Sequence, residues 1–263
     1  MAKTIRLILG DQLNSRHSWF DEKTENITYL MMEMQQETDY VKHHIQKVVG
    51  FFQVMRNFSE EIKEKGHKLI YLRLDDKENQ QNLEKNLSML IKKEGFEHFE
   101  YLLPDEYRLD QQLKEICDSL SISSKSYDTE HFLTDRSFLE GFFKGKKTYL
   151  MESFYREMRR KYNILMDGKE PLTGKWNYDE ANRKKLKDTS VLEPQLLKSR
   201  NVSKIVKMIA DAGVETIGNI DEENFSWPYS KKIHAFVCWH FGPINTSHVF
   251  TPADNLPFYS TAG

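Results

Sequence analysis

Four short apolar runs punctuate the first part of the chain. Ile5-Arg6-Leu7-Ile8-Leu9 stops at Gly10, Ile27 to Met32 stops at Glu33, Lys68 to Arg73 stops at Leu74-Asp75, and Phe99 to Leu103 is closed by Pro104. Runs this short and this continuously apolar predict strands covered on both faces. Between the second and third, Val41, Ile45, Val48, Phe52, Met55, Phe58 and Ile62 return at three- and four-residue spacing. That period predicts a helix from about Tyr40 to Lys65, with Gly66 in the place of a terminating glycine. Leu83, Leu87, Leu90 and Ile91 predict a second helix from about Asn82 to Lys93, and a third runs from about Leu109 to Leu120. Strands alternating with helices of this length fold as a parallel sheet with right-handed crossovers. Residues 1–130 are therefore expected to form an α/β, Rossmann-like doubly wound domain.

The pattern then changes. Ser137 to Phe143 and Leu150 to Tyr162 read as helices, separated by the turn Lys144-Gly145-Lys146-Lys147. Asp167-Gly168, Pro171 and Gly174 mark an irregular loop, and 179–200 is polar and lysine-rich, a linker by composition. Residues 131–200 are thus a helical and loop interdomain segment. A short amphipathic helix returns from Val202 to Ala212, and beyond Phe241-Gly242-Pro243 no element is legible.

Composition narrows the function classes. A formal net charge of −2 gives no global attraction to nucleic acid, so any such contact would be a local basic surface. The two cysteines, Cys117 and Cys238, cannot complete a four-thiolate site within one chain. The first apolar run is too short for a signal-peptide core or a membrane span, so a cytoplasmic protein with reduced thiols and no membrane partner is expected.

Candidate chemistry gathers behind the first two strands. Gly10-Asp11-Gln12-Leu13 follows the first strand directly, at the edge where doubly wound sheets bind ligands. The other reading of it is a tight turn capped by Asp11. No GxGxxG or glycine–lysine phosphate loop is present, which disfavours an ordinary nucleotide-binding enzyme. Glu37, Tyr40, His43 and His44 follow the second strand; on one helix Tyr40 and a histidine would share a face. With Asp11 and Glu33 they offer either a metal or an aromatic, hydrogen-bonded ligand. Adjacent histidines lack the i, i+4 spacing of metal helices, so the aromatic ligand is favoured and no metal is expected. Farther on, Met151, Phe154, Tyr155 and Met158 form a stripe, with Arg156, Arg159, Arg160 and Lys161 at its end. This is either a core-facing helix with a solvated basic end or a contact to phosphate.

These pieces in this order resemble a known family. Leu7 to Leu13, Glu37…Tyr40-Val41…His43-His44, Met55-Arg56-Asn57-Phe58, Met151-Glu152…Phe154 to Arg160, Leu165-Met166-Asp167-Gly168, and Gly174 to Asp179…Asn182-Arg183 are similar to the photolyase-related proteins of the bacterial cryptochrome/photolyase family, in its iron–sulfur (6-4) branch. The likeness is dense over about residues 4–185.

The resemblance implies an antenna-binding α/β domain, typically for a ribityl-lumazine, that passes excitation to FAD held in a larger helical domain. The family repairs photolesions in damaged DNA by light-driven electron transfer. By position Gly10, Asp11, Gln12, Glu37, Tyr40 and His43 match the antenna pocket, with Met32 and Phe51 as walls and Phe51 narrowing it. Arg159, Arg160, Lys161 and Arg183 are the candidate nucleic-acid contacts. Family members are longer, so residues 201–263 are expected to be the start of the helical flavin domain with a divergent tail. On that reading the chain is a truncated or excised amino-terminal half with no catalytic residue, not expected to hold FAD or the cluster, and partnered by a small chromophore or the missing domain. The alternative is a stand-alone small-ligand or protein-binding α/β module without catalytic activity.

Overall fold

The computed structural model describes residues 2–177 and 199–227. They fall into two compact units, the first formed by residues up to 129 with 199–227, the second by 130–177. In chain order the first unit contains β1 (Thr4–Leu7), β2 (Ile27–Met32), α1 (Gln35–Asp39), β3 (His43–His44), α2 (Ile45–Glu64), β4 (Lys68–Leu72), α3 (Leu83–Glu94), β5 (His98–Leu102), α4 (Tyr107–Ser119) and β6 (Ser123–Tyr127). The second carries α5 (Arg136–Phe143), α6 (Met151–Lys161), β7 (Met166–Asp167) and β8 (Glu170–Pro171). The chain then returns to the first with α7 (Ser203–Asp211) and β9 (Thr216–Ile217).

The main sheet is parallel, in the order β4-β2-β1-β5-β6. The chain winds outward from β1 to β4, then crosses back to β5 on the other side of β1, which is the doubly wound topology expected. Alternation along the strands divides the apolar side chains between two cores. Tyr29 and Met31 of β2 join Val48, Phe52, Phe58 and Ile62 of α2 on one face, where Ile205, Met208 and Ile209 of α7 also pack. Leu30 and Met32 join Ile5 and Leu7 of β1, Leu83 and Leu87 of α3, and Leu113 of α4 on the other. Fully burying one such side chain stabilises by about 1.5–3 kcal/mol. Local signals set the helix ends: the Asn82 side chain accepts from the Lys85 amide to begin α3, and Gly95 takes the left-handed conformation, φ 67°, to end it.

Three sequence expectations are corrected. The first strand ends at Leu7 rather than Leu9. The helix expected from Tyr40 begins only at Ile45, because His43 and His44 extend to pair with Thr216 and Ile217. A fifth strand, β6, was not anticipated; its sequence Ser-Ser-Lys-Ser-Tyr has no apolar run because it lies at the sheet edge, mostly exposed.

Candidate functional site

A cavity of about 290 Å³ opens at the carboxyl edge of the sheet. Leu7 to Asp11, leaving β1, line its base, and Met32, Glu33, Met34 and Glu37, leaving β2, line one side. Lys47, Val48, Phe51, Phe52 and Met55 of α2 form a second side, and Glu106 and Leu109 at the start of α4 a third. Gly10 permits the close approach of α2, since a Cβ there would meet Met55 Sδ at 3.0 Å.

A chain of polar contacts crosses the cavity rim. Arg108 Nη2 donates to Glu37 Oε2 at 2.9 Å, and the same guanidinium lies 4.5 Å from the centre of the Tyr40 ring. Tyr40 in turn meets the His43 ring edge to face at 5.2 Å. Lys47 Nζ donates to His43 Nδ1 at 3.1 Å, which requires a neutral imidazole there. Burial, reinforced by the Lys47 charge, holds the His43 pKa below its ordinary value, in keeping with that contact. The arrangement offers aromatic faces and apolar walls with a few polar groups, the usual make-up of a small-molecule site.

Seven of the eight residues selected from the sequence line this one cavity: Gly10, Asp11, Met32, Glu37, Tyr40, His43 and Phe51. Gln12 does not. It is buried, accepts from the Leu9 amide at 3.0 Å, and donates to the carbonyls of Leu102 and Leu103 at 3.2 and 3.4 Å. Its amide therefore ties the end of β1 to the end of β5. The shared helical face expected for Tyr40 and the histidines is also absent, because Tyr40 and His43 precede α2 and meet through an extended segment.

Glu33 lines the cavity but its carboxylate is committed. Arg56 grips it with bonds of 2.6 and 2.8 Å, Tyr71 donates at 2.7 Å, and the Leu74 amide at 3.0 Å. His44 turns aside to accept from the Gln46 amide at 3.2 Å and cap α2. Among the described residues no group of three histidine, cysteine or acidic side chains is placed to hold a metal ion. An iron–sulfur cluster does not fit the donor set either, since the chain has two cysteines and a cluster takes four thiolates.

Lys47, Met55, Glu106 and Arg108 were missed as site residues. The edge rule holds the signal for the last two: Glu106 and Arg108 follow Pro104, just past the carboxyl end of β5.

In the second unit, Arg159 is buried rather than presented to a partner. Its guanidinium donates to the carbonyls of Ile164, Leu165, Lys175 and Trp176, fastening the loop that follows α6. Arg160 and Lys161 are exposed, with Arg160 over the Trp176 ring at 4.7 Å and Lys161 over Phe138 at 4.5 Å. Arg183 lies outside the described residues.

Fold and cavity together define a doubly wound α/β protein with a ring-lined site at its carboxyl edge. More particularly, the family model described as deoxyribodipyrimidine photo-lyase-related protein matches residues 6–225, and the chain belongs to that family. It is 29% identical over 221 residues to a (6-4) photolyase of Agrobacterium fabrum (strain C58), a match covering 83% of this chain and 42% of the photolyase. It is 26% identical over 148 residues to the uncharacterized protein R852 of Acanthamoeba polyphaga mimivirus, covering 55% of this chain and 73% of that protein. The match thus spans less than half the length of the photolyase relative. No helix among the described residues is long and apolar enough to cross a membrane.

Proposed function

We propose that the cavity holds a flat heteroaromatic chromophore of the ribityl-lumazine class and serves as the light-collecting site of a photolyase-type repair activity. The observation that carries this reading is that seven residues chosen from sequence converge on one cavity. Its volume is near the lower end of the roughly 300–1,000 Å³ usual for small-molecule sites, sized for one ring system and a short tail. Met32, Phe51, Phe52 and Met55 supply apolar walls for the rings, and the Tyr40 and His43 rings an aromatic edge. Asp11 and Glu37 offer carboxylate oxygens to the hydroxyls of a polyol tail, each oxygen able to accept more than one bond.

Bound there, the chromophore would supply absorbed light energy to a flavin-dependent repair reaction whose substrate is damaged DNA. Arg160 and Lys161 are the exposed cations through which the second unit would meet a phosphate backbone. A second reading, a stand-alone ligand-binding module, is favoured by the mimiviral relative, 73% of whose length the match covers.

Titration of the purified chain with 6,7-dimethyl-8-ribityllumazine, followed by ligand fluorescence, tests the proposal. Saturable binding in the micromolar range is expected. An unchanged signal at several hundred micromolar ligand would overturn it.

A further inference from the structure

The cavity wall that carries Tyr40 and His43 is held by a segment remote in sequence. His43 and His44 pair in parallel with Thr216 and Ile217. On either side of that pairing, Gln46 Nε2 donates to the Asn219 carbonyl at 3.0 Å, and Gln35 Nε2 donates to the Ala212 carbonyl. Lys42 and Glu215 form an exposed ion pair at 2.6 Å. The segment is not a loose end. Met208 and Ile209 of α7, and Val214 just beyond it, are buried in the same core as Val48 and Phe52 of α2.

One residue makes the pairing possible. Gly218 has φ +77°, and a Cβ built on it would overlap the His44 imidazole. That imidazole caps α2 through the Gln46 amide, and the first two turns of α2 bring Lys47 and Phe51 to the cavity. Gly218 therefore leaves the room in which His44 sits, His44 fixes the start of α2, and its neighbour His43 is fixed in the cavity wall.

We propose that residues 212–219 are a positioning strap for the cavity, with Gly218 the residue that sets where His43 and the first turns of α2 stand against a bound ligand. Nothing in the strap lines the cavity, so it acts through the wall it holds. By linkage, ligand in the cavity also strengthens docking of the strap, whatever chain follows it.

The proposal rests on the chromophore reading, and its test is arranged to separate the two. Gly218→Ala is expected to weaken ribityl-lumazine binding about tenfold. It also moves the His43 imidazole titration, followed by NMR, upward toward the ordinary histidine value as the Lys47 contact and burial are lost. Adding His44→Asn, a smaller side chain that still caps a helix, removes the overlap and recovers part of both, the strain of an alanine at φ +77° remaining. Glu215→Lys sets two lysines against each other on an exposed surface, where folding is untouched, and shifts both readouts the same way by a few-fold. A Gly218→Ala or Glu215→Lys protein whose urea midpoint falls while its His43 titration stays in place would overturn the strap. Should the unaltered chain bind no lumazine, the chromophore reading fails, and the His43 titrations of the variants still decide the strap.

Discussion

Arg56 grips both carboxylate oxygens of Glu33, a side chain with 0% exposure at the mouth of β2, and Arg56 Nη2 also reaches Met208 Sδ on α7 at 3.1 Å. The pair thus joins the sheet edge, α2 and the returning helix. Burial first, and then the neighbouring Glu33 carboxylate, push the Tyr71 hydroxyl pKa well above its ordinary value, so Tyr71 stays a donor.

Arg56→Met leaves Glu33 buried with its counter-charge gone. Breaking a buried pair from one side costs about 3–5 kcal/mol; with Arg56 partly exposed, about 3 kcal/mol is expected here. Urea unfolding of the purified chain measures it, and a loss under about 1 kcal/mol would show that the pair is structurally idle.

Arg159 and Arg160 are neighbours with opposite expected behaviour. Arg159→Ala takes its donor from four carbonyls, of which, among the described residues, Leu165 alone keeps a second one, the Leu172 amide, and is expected to expose the loop after α6 to limited proteolysis, with a stability loss of about 2–3 kcal/mol. Arg159→Lys fails to rescue, because an ammonium cannot reproduce the planar fork. Arg160→Ala is expected to change the cleavage pattern little, its ion pair to Glu157 being an exposed one at 3.9 Å.

Acid is expected to destabilise the first unit through two histidines. His43 and His67 both have folded pKa values below the ordinary one, first by burial, then through Lys47 for one and Lys23 and Lys65 for the other. With folded values depressed, the unfolded chain binds more protons once pH falls below about 6.5, so stability drops there and is regained as pH rises. The urea midpoint should therefore be lower at pH 5.5 than at pH 7.5. His67→Phe keeps the aromatic contacts to Phe20 and Tyr29 and should flatten the difference; an unaltered slope in that variant would rule His67 out.

Tyr40 is half exposed and is held between Arg108 and His43. Tyr40→Ala removes the ring without emptying a core. Lumazine affinity is expected to drop by about 0.5–1.5 kcal/mol, the worth of an aromatic pair, while the urea midpoint holds. Fluorescence titration of wild type and variant side by side checks it, and equal affinities would remove Tyr40 from the site.

Much of this was legible along the chain. β2, β4 and β5 announced themselves as apolar runs, α3 by its period, and Gly10, Asp11, Glu37, Tyr40 and His43 by their place past the strands, whereas Met32 and Phe51, inside β2 and α2, came only from the family resemblance. The polar edge strand β6 carried no such mark, since an edge strand need not bury side chains to join a sheet. Gln12 and Glu33 looked like ligand-facing polar residues for a similar reason. Which partner satisfies a polar side chain depends on what the fold brings beside it, and here that was Leu102 and Leu103, or Arg56 and Tyr71.

The sequence by itself determined the strand–helix alternation, the parallel doubly wound sheet and the neighbourhood of the site, because period and turn chemistry are local and repeat at every element. Only the tertiary structure decided that His43 stands on a strand instead of a helix, that Gln12 is a tie, and that a segment near Gly218 holds the cavity wall. Those outcomes rest on pairings between residues as much as 170 or more positions apart, such as Gln46 with Asn219 at a separation of 173. No local pattern encodes a partner at that distance, and the energy of the pairing appears only when the intervening chain has folded.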